Sequence, residues 1–499
     1  MVSQDVREWL PPEHLCWKVV EFVGRLDLSR FVAGYRADGQ GRAAYPPTVL
    51  LALLLYCYSK GIRSTRRIEQ ACLDDVGCRV ITANRRIDHS TIARFIRRHR
   101  QPLRSLFLQA LALCDQHGLV DLAAVAVDDS PMDANAGRSS NRSLERLETI
   151  VAQREADIAE MMRSAAAYAR AAEAGDLLAA GEPPEPDRSA ACLSRLSDQL
   201  VRARSARDRL LARALPSAGE IKIKVEATER IVARAEKRLA AETTAHQTKL
   251  DHYAARTSQD QTAGRRAANG RPPVPLETKT VIIRQRARLA EALMRLERAR
   301  NPTPVPTAAA RASLSDPDSR LMLSKRGGFL QGYNLQIVCA RSQLLLAIEL
   351  HDNPADMTAL IPMVRTAQHN CQAAGITQEV RAWLADNGYA STASFEALAE
   401  LPLLVAVASN PGPDGTEPPA VEDLPAGHRQ MAAQLATPTG RALYKRRSAL
   451  VEPGFAQLFQ RFGRQLHYRG RDAVDTEIKL LGAVHNINKI FGLKAKTST

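Results

Sequence analysis

The chain has 499 residues, enough for two or three domains, and a formal net charge of +15. This positive balance favours a polyanionic partner, nucleic acid before membrane. None of the eight cysteines forms a C-x-x-C pair, which argues against a zinc knuckle or a disulfide framework. The most apolar run, residues 49–57, is far too short to span a bilayer. We therefore expect a soluble, cytoplasmic protein.

Residues 1–120 are predicted to form an all-helical domain. An apolar run follows Pro47, a residue type that is tolerated at the start of a helix, and Gly61 marks the end of that run. Ser64 and Asp88 precede two further helices in the position of capping residues.

The exposed side of these helices is expected to be basic. Residues 60–104 hold twelve Lys or Arg and four Asp or Glu. Compact helices with a basic face suit a DNA reader of the helix-turn-helix type, whose apolar residues pack inward while its arginines contact phosphates. A plain helical oligomerisation domain is the alternative. If DNA is bound here, the expected contacts are Arg66, Arg67, Arg97 and Arg98.

Residues 121–138 are predicted to contain the first strand of an α/β domain. A short apolar run at 122–127 ends in Asp128 and Asp129, the pattern of a buried strand followed by polar residues. A carboxylate held at the end of a central strand faces an open crevice, which suits a metal ligand. Asp128 is the predicted ligand, and Asp129 competes with it because a one-residue register error would exchange them. A polar strand end without a metal is the alternative.

Residues 139–305 are predicted to be a helical coiled-coil insertion. They are rich in Ala, Arg, Glu and Leu and nearly free of aromatic residues. Their apolar residues recur at steps of three and four, which is typical of amphipathic helices. We expect three or four long helices that fold back on one another as an antiparallel arm. Such an arm could clamp DNA, join two subunits, or serve only as a solvated spacer.

Residues 306–499 are predicted to complete the α/β domain. Two apolar runs on either side of a polar turn at 341–343 predict an antiparallel hairpin. A strand at 380–384 ends at Asp386, where Gly388 allows the chain to turn. The remaining expected elements are helices at 357–374, 392–399 and 478–493, a strand at 403–408, and a loop at 410–427.

A strongly basic segment near the C-terminus contains a single acidic residue. Residues 441–471 hold eight Lys or Arg, and Glu452, on a predicted helix, is their one carboxylate. One explanation is a metal ion facing a phosphate backbone, with the carboxylate on the metal and the cations on the phosphates. A basic amphipathic helix with one stray glutamate is the alternative. The candidate phosphate ligands are Lys445, Arg446, Arg447 and Arg461.

Asp128, Asp386 and Glu452 are expected to converge in one crevice of a mixed sheet. Carboxylates about 4 Å apart repel by about 4 kcal/mol at an effective dielectric near 20, so protons or divalent cations must offset the charge. Hard oxygen ligands without His or Cys favour Mg²⁺ or Mn²⁺. Two such ions about 3.5–4 Å apart can bracket a phosphodiester, one activating the attacking oxygen and one stabilising the leaving oxygen.

Four blocks of the chain carry a resemblance to a known family. They are V-A-V-D with A-N-A, G-G-F-L-Q-G-Y-N, L-A-D-N-G-Y and Y-K-R-R-S-A-L-V-E-P. N-terminal runs such as D-H-S-T-I-A-R-F add to it. In this order the blocks resemble those of the DDE transposases of bacterial insertion sequences, and the resemblance covers nearly the whole chain.

The resemblance implies a fold class and a set of site residues. The fold is α/β, a ribonuclease-H-like mixed-sheet catalytic domain with an all-α N-terminal domain and a helical coiled-coil insertion. The family's metal-binding triad maps onto Asp128, Asp386 and Glu452. Its Tyr-Arg-Glu-Lys pattern maps onto Tyr444 and Arg447, which would orient DNA, and onto the same glutamate.

One position departs from the family pattern. A lysine is expected about seven residues after Glu452, but Phe459 stands there, and the nearest basic residue is Arg461. The departure favours the alternative of a catalytically inactive or domesticated DNA-binding relative. A structural coiled-coil protein is a further alternative, but the basic α/β pattern outside the arm argues against it.

The implied activity is that of a Mg²⁺-dependent transposase. Such an enzyme binds double-stranded DNA at the ends of its element, cuts there by attack of water, and joins the freed 3′-OH to target DNA. We expect two metal ions, Mg²⁺ or Mn²⁺, at the three carboxylates, and a homodimer in the active complex. No membrane partner is expected.

Overall fold

The computed structural model of the chain divides into two compact units. They are Met1–Asn141 with Ala312–Thr499, and Arg142–Arg311. In the part of the chain that is described, no helix has the length and apolar character needed to cross a bilayer. The described residues are 5–33, 35, 44–174, 186–215, 218–263, 272–302, 307, 309–323, 327–351, 356–407, 421 and 424–496.

The N-terminal region of the first unit folds into helices, as predicted. Pro47 is the first residue of the apolar helix, and Gly61, just after that helix, takes a φ of +76°. Asp88 caps the sixth helix by accepting hydrogen bonds from the backbone N–H groups of Ser90 and Thr91. The helices are α1 Leu15–Gly24, α2 Ser29–Val32, α3 Pro47–Ser59, α4 Thr65–Asp74, α5 Val76–Ile81, α6 His89–Arg98 and α7 Arg100–Gln116.

The strands and the C-terminal helices alternate along the rest of the described chain. The strands are β1 Val125–Asp133, β2 Asn141–Arg142, β3 Ala312–Ser313, β4 Arg320–Leu323, β5 Phe329–Cys339, β6 Leu345–His351, β7 Trp383–Ala385 and β8 Leu403–Val405. The second unit carries α8 Leu144–Glu173, α9 Pro186–Arg213, α10 Ala218–Thr262 and α11 Thr280–Arg300. The C-terminal helices are α12 Leu360–Ala373, α13 Thr392–Ala397, α14 Ala426–Ala436, α15 Pro438–Tyr444, α16 Arg446–Phe462 and α17 Arg471–Lys496.

A six-stranded mixed sheet lies at the centre of the first unit. β1 is hydrogen-bonded on both edges, antiparallel to β5 and parallel to β7. β6 pairs antiparallel with β5, which confirms the predicted hairpin, and β8 pairs parallel with β7. β4 pairs with the first residues of β5. The spatial order is β4-β5-β1-β7-β8, with β6 also on β5.

The first strand is longer than predicted. The apolar run ends at Val127, but β1 continues to Asp133 because β5 pairs with it from Ala126 to Asp133. β7, in contrast, ends at Ala385, the partner of Val127. Asp128 therefore lies inside the strand, at the point where the parallel pairing stops and the antiparallel pairing goes on.

Other predicted boundaries were wrong by a few residues. β7 begins at Trp383, not at residue 380, and α17 begins at Arg471, not at residue 478. Charged side chains open α17, so its first turns carry little of the apolar pattern that sequence reading depends on. Most of the predicted loop at 410–427 lies outside the described residues.

An ion pair joins the N-terminal helices to the C-terminal helix of the first unit. Arg63 Nη1 donates to Glu477 Oε1 at 3.0 Å, and the two side chains are 5% and 0% exposed. The Glu477 carboxylate also accepts hydrogen bonds from the backbone N–H groups of His467 and Tyr468. Because each buried charge is paired and hydrogen-bonded, removal of either partner would leave an uncompensated charge.

The second unit contains two packed helix pairs. Arg204 of α9 donates to Glu155 of α8 at 2.7 Å. In the other pair, Arg300 of α11 donates to Glu229 of α10 at 3.0 Å. A small core of Val232, Ala292 and Leu296 lies between α10 and α11.

Gly332→Ala should destabilise the contact between β1 and β5. A Cβ at Gly332 would collide with the backbone carbonyl of Met132, which belongs to the neighbouring strand. We expect a loss of about 1–3 kcal/mol in the free energy of unfolding, as for other overpacked sites. Urea unfolding followed by circular dichroism measures this loss. Gly24→Ala is the matched control, because a Cβ there has open space. Equal free energies of unfolding for Gly332→Ala and Gly24→Ala would contradict the close approach of Gly332 to the Met132 carbonyl.

His485→Gln should reduce the loss of stability in acid. His485 is buried and its Nε2 donates to the Gln343 carbonyl at 2.8 Å. Burial, and secondarily Lys489 and Arg461, lowers the pKa of His485 to about 4. The unfolded state therefore binds a proton at His485 more tightly than the folded state does. The stability that the neutral His485 contributes is fully present above pH 6.5 and is lost as the pH falls toward 4. The contribution amounts to about 3 kcal/mol.

The measurement is urea unfolding at pH values from 7 to 4. We expect the wild type to lose about 3 kcal/mol more than His485→Gln across that window. His117→Gln is the control, since His117 is exposed. If both variants lose stability in parallel with the wild type, His485 does not carry the effect.

Candidate functional site

β1 and β7 bring Asp128 and Asp386 together. Val127 and Ala385 are partners in the parallel ladder, and the two aspartates are the residues that follow them. Neighbouring strands lie about 4.8 Å apart, so the two backbones reach this point side by side. The structure thereby places two of the three predicted carboxylates at one edge of the parallel pairing.

The Asp128 carboxylate is largely buried and is held at both oxygens. Oδ1 accepts from the backbone N–H of Asp129 at 2.9 Å, and Oδ2 accepts from Arg447 Nη1 at 3.0 Å. Burial raises the pKa of Asp128, and Asp386 raises it further, while the hydrogen bond from Asp129 and the charge of Arg447 act in the opposite direction. Asp129 follows on the opposite face of the strand. It is Asp128, therefore, that faces Arg447.

Asp386 begins a short turn, and a second aspartate lies beside it. Its Oδ1 accepts from the backbone N–H of Gly388 at 2.9 Å. A Cβ at Gly388 would lie 3.1 Å from Asp386 Oδ1 and 3.2 Å from Asp356 Oδ2, so these carboxylates are close neighbours. Asp356 Oδ1 in turn accepts from Asn334 and Gln336, at 2.8 and 2.9 Å.

Sequence reasoning missed Asp356. The available signal was the Y-N-L-Q run on β5, which places two amide side chains two residues apart and hence on one face of the strand. Two amide donors on one face need a shared acceptor when they are buried. Both Asn334 and Gln336 are at most 2% exposed.

The end of α15 and the start of α16 supply the cationic and aromatic groups predicted here. Arg447, in the first turn of α16, reaches Asp128, and the two side chains are 18% and 14% exposed. Tyr444 lies beside Arg447, and burial raises the pKa of its hydroxyl. Lys445 and Arg446 are exposed at the start of α16.

Glu452, the third predicted carboxylate, lies on α16. It lies five residues after Arg447, which is about 140° around the helix, and its side chain is exposed. Val451, the residue before it, faces the core instead. Among the residues that the structure describes, no three His, Cys, Asp or Glu side chains are grouped so as to hold a metal ion.

The two aspartates by themselves fit the donor chemistry of Mg²⁺. This ion is commonly held by one or two carboxylates, with water and substrate phosphate as its other ligands. Asp386 is close enough to raise the pKa of Asp128, and a divalent cation would offset that repulsion. A set of three carboxylates around two ions would need Glu452 or another acid in a different position.

Arg464 contacts Phe459, the residue that stands where the family pattern has a lysine. Its guanidinium stacks on the ring of Phe459, 3.7 Å from the centroid, and Phe459 stacks on Phe455. Arg464 Nη1 also donates to Ser130 Oγ at 2.9 Å. Ser130 is on the same face of β1 as Asp128. Arg461 is the nearest basic residue along the chain, whereas Arg464 is the one that contacts the ring of Phe459.

The predicted DNA contacts of the N-terminal region lie on exposed surfaces of α4 and α6. Arg66 and Arg67 are exposed on α4. Burial, then the charges of Arg63 and Arg67, lower the pKa of His467 to about 4, so α4 lies near the segment that follows Arg464. On α6, Arg97 is exposed, and Arg98, also exposed, stacks 4.7 Å above the Tyr35 ring.

Two segments of the chain match known families. Residues 4–98 match a transposase domain (DUF772), and residues 421–491 match a transposase DDE domain. The first covers α1 to α6, and the second includes α14 to α16, with Arg447 and Arg464. No curated protein and no solved structure matched the chain. The two matches confirm the resemblance that the sequence motifs carried.

Proposed function

We propose that this chain, which carries transposase domains near both ends, is a DDE transposase that acts on the ends of an insertion sequence. It would bind double-stranded DNA there, cleave one strand with the aid of a divalent metal, and transfer the freed 3′-OH to target DNA. The observation that carries the proposal is the position of Asp128 next to Asp386, at the end of the parallel pairing of β1 with β7 and beside the guanidinium of Arg447.

The protein groups around the aspartates suit a phosphodiester substrate. Arg447 and Arg464 present planar guanidinium groups that match phosphate oxygens in geometry and charge. Tyr444, next to Arg447, would help to orient the strand. Lys445 and Arg446, both exposed, would extend the contact along the DNA backbone.

Asp128 and Asp386 are the proposed holders of Mg²⁺ or Mn²⁺. Such an ion, when bound, activates the attacking oxygen and stabilises charge on the leaving oxygen. Glu452 is the third proposed ligand on sequence grounds, and Asp356 is its structural competitor because it lies beside Asp386. Arg447 would keep Asp128 ionised and oriented before the substrate arrives.

We propose further that the catalytic domain is ribonuclease-H-like. The supporting observation is a mixed sheet with β1 in the middle, the antiparallel strands β4, β5 and β6 on one side and the parallel strands β7 and β8 on the other. Arg66, Arg67, Arg97 and Arg98 are the proposed DNA contacts of the N-terminal helices, because all four lie on exposed surfaces of two neighbouring helices. A homodimer as the active form stays a prediction.

A DNA-binding relative without catalytic activity is the second candidate. Two observations favour it: the described residues contain no group of three acids that could hold a metal, and Phe459 replaces the lysine of the family pattern. The stacking of Arg464 on Phe459 weakens the second of these, because it returns a positive charge to the same place.

Asp128→Asn and Asp386→Asn should each lower cleavage of DNA bearing the native element ends by at least about 1000-fold. Loss of a metal ligand removes several kcal/mol of transition-state stabilisation. Binding of the same DNA should change little, since neither aspartate is a phosphate ligand. A gel assay of cleaved ends in Mg²⁺, with a parallel binding assay, measures both quantities.

Glu452→Gln and Asp356→Asn are compared in the same assay, with exposed Glu396→Gln as the matched control. We assign the third ligand to Glu452 or to Asp356, whichever substitution lowers cleavage as much as Asp128→Asn does. Wild-type protein that binds the ends but never cleaves them would favour the inactive relative.

Arg464→Gln should lower cleavage about 10- to 100-fold, because it removes a charged contact to phosphate beside Asp128. Arg464→Lys should recover part of that loss, since it restores the charge without the planar fork. Phe459→Leu should lower the cleavage rate about 3- to 30-fold, because it releases the stacked guanidinium. Phe459→Tyr should keep the rate, because it keeps the aromatic ring face. Steady-state cleavage rates are the measurement. An Arg464→Gln enzyme as fast as the wild type would remove Arg464 from the site.

A further inference from the structure

A cavity of about 540 Å³ lies where α3, α16 and α17 meet. Ser59 and Lys60 line it from the end of α3, Gln457 and Arg461 from α16, and Lys489 from α17, with three more polar residues. It opens to solvent, because Lys60 and Arg461 are exposed. No carboxylate is among its eight lining residues, all of which the structure describes.

Two of the three cations that line this cavity have no acid beside them among the described residues. Lys489 Nζ donates to Gln457 Oε1 at 2.6 Å and to Gln343 Oε1 at 3.4 Å, both neutral amides. Within the described residues, neither Lys489 nor Arg461 is ion-paired to an acid. Lys60 does have such a partner, Asp75. Of the three positive charges in the cavity, that of Lys60 alone is paired with an acid among the described residues.

The charges and hydrogen-bonding groups of the cavity favour a bound anion. Partial burial lowers the pKa of both Arg461 and Lys489, and the charge of Arg461 lowers that of Lys489 further. The surroundings of the cavity therefore disfavour the positive charge of both groups. Ser59 Oγ is buried, and the described residues offer it no hydrogen-bond partner. An anion with several oxygens would offset the charge and accept from the hydroxyl, ammonium and guanidinium groups together.

We propose that this cavity binds a phosphate group, and that its source is a backbone phosphate of the bound DNA. The choice of source rests on the proposed function. Arg461 lies fourteen residues after Arg447, nearly four turns and about 21 Å along the same side of α16. A DNA strand carries one phosphate per 3.4 Å or so of helix axis. The cavity therefore holds the strand about six nucleotides from the aspartates.

The first test is binding of full-length protein to duplex DNA with native element ends. Affinity is measured by fluorescence anisotropy between 50 and 200 mM salt for Arg461→Gln, Lys489→Gln and the double variant. Each single variant should weaken binding about 5- to 10-fold and lower the salt slope by about one, the signature of one lost phosphate contact. The double variant should lower the slope no further, because both cations hold the same phosphate.

Two matched variants separate the cavity from general charge. Arg461→Lys keeps the charge and should keep most of the affinity. Arg365→Gln removes one exposed positive charge on α12, outside the cavity, and should leave the slope unchanged. If DNA binding by Arg461→Gln and by Lys489→Gln shows the same salt slope as binding by Arg365→Gln, DNA is not the source of the phosphate.

The second test uses inorganic phosphate and does not depend on DNA. Phosphate should raise the unfolding temperature of the wild type above that in chloride of equal ionic strength, and the double variant should lose this increase. Phosphate stabilisation without any DNA binding by the wild type would keep the cavity as a site for free phosphate and reject the transposase function. No phosphate effect and no change in the DNA slope would overturn the cavity proposal.

Discussion

The double pairing of β1 is the constraint on which the site depends. Its antiparallel partner, β5, keeps β1 extended to Asp133, while its parallel partner, β7, stops at Ala385. The difference in length leaves Asp128 in a rigid strand beside the free end of a neighbour, with Asp386 as the next residue of that neighbour. A carboxylate in this position has backbone hydrogen bonds to hold it and an open side to offer a ligand.

Positive charge is arranged differently at the two ends of α16. At its start, Arg447 meets Asp128, so the cation is neutralised and the acid oriented. In its last turn, Arg461 lines a cavity without acids, and just after its end Arg464 contacts an aromatic ring and a hydroxyl. A cation such as Arg461, without an acidic partner among the described residues, favours an anion from outside. α16 thus joins an acidic end suited to a metal with a basic end suited to phosphate.

Part of the site was predictable from the sequence, and the rest was not, for identifiable reasons. The strand end at Ala385-Asp386 follows from a short apolar run and a glycine, so it could be predicted. Glu452 was assigned from a motif and one unusual charge, and its role as the third ligand stays a prediction. Arg464 and Asp356 were missed because their partners, Phe459 and Asn334, are identified by packing and pairing rather than by spacing along the chain.

The sequence alone determined the local properties of this protein. Apolar periodicity, capping residues such as Asp88, and the basic balance of the helices depend on neighbours within a few residues, so the chain specifies them directly. The tertiary structure decided which charges meet. Asp128 and Asp386 are 258 positions apart, and Arg63 and Glu477 are 414 apart. Such pairs form only when strand register and helix packing have been set by the whole core, because the free energy of burial is shared among many distant residues.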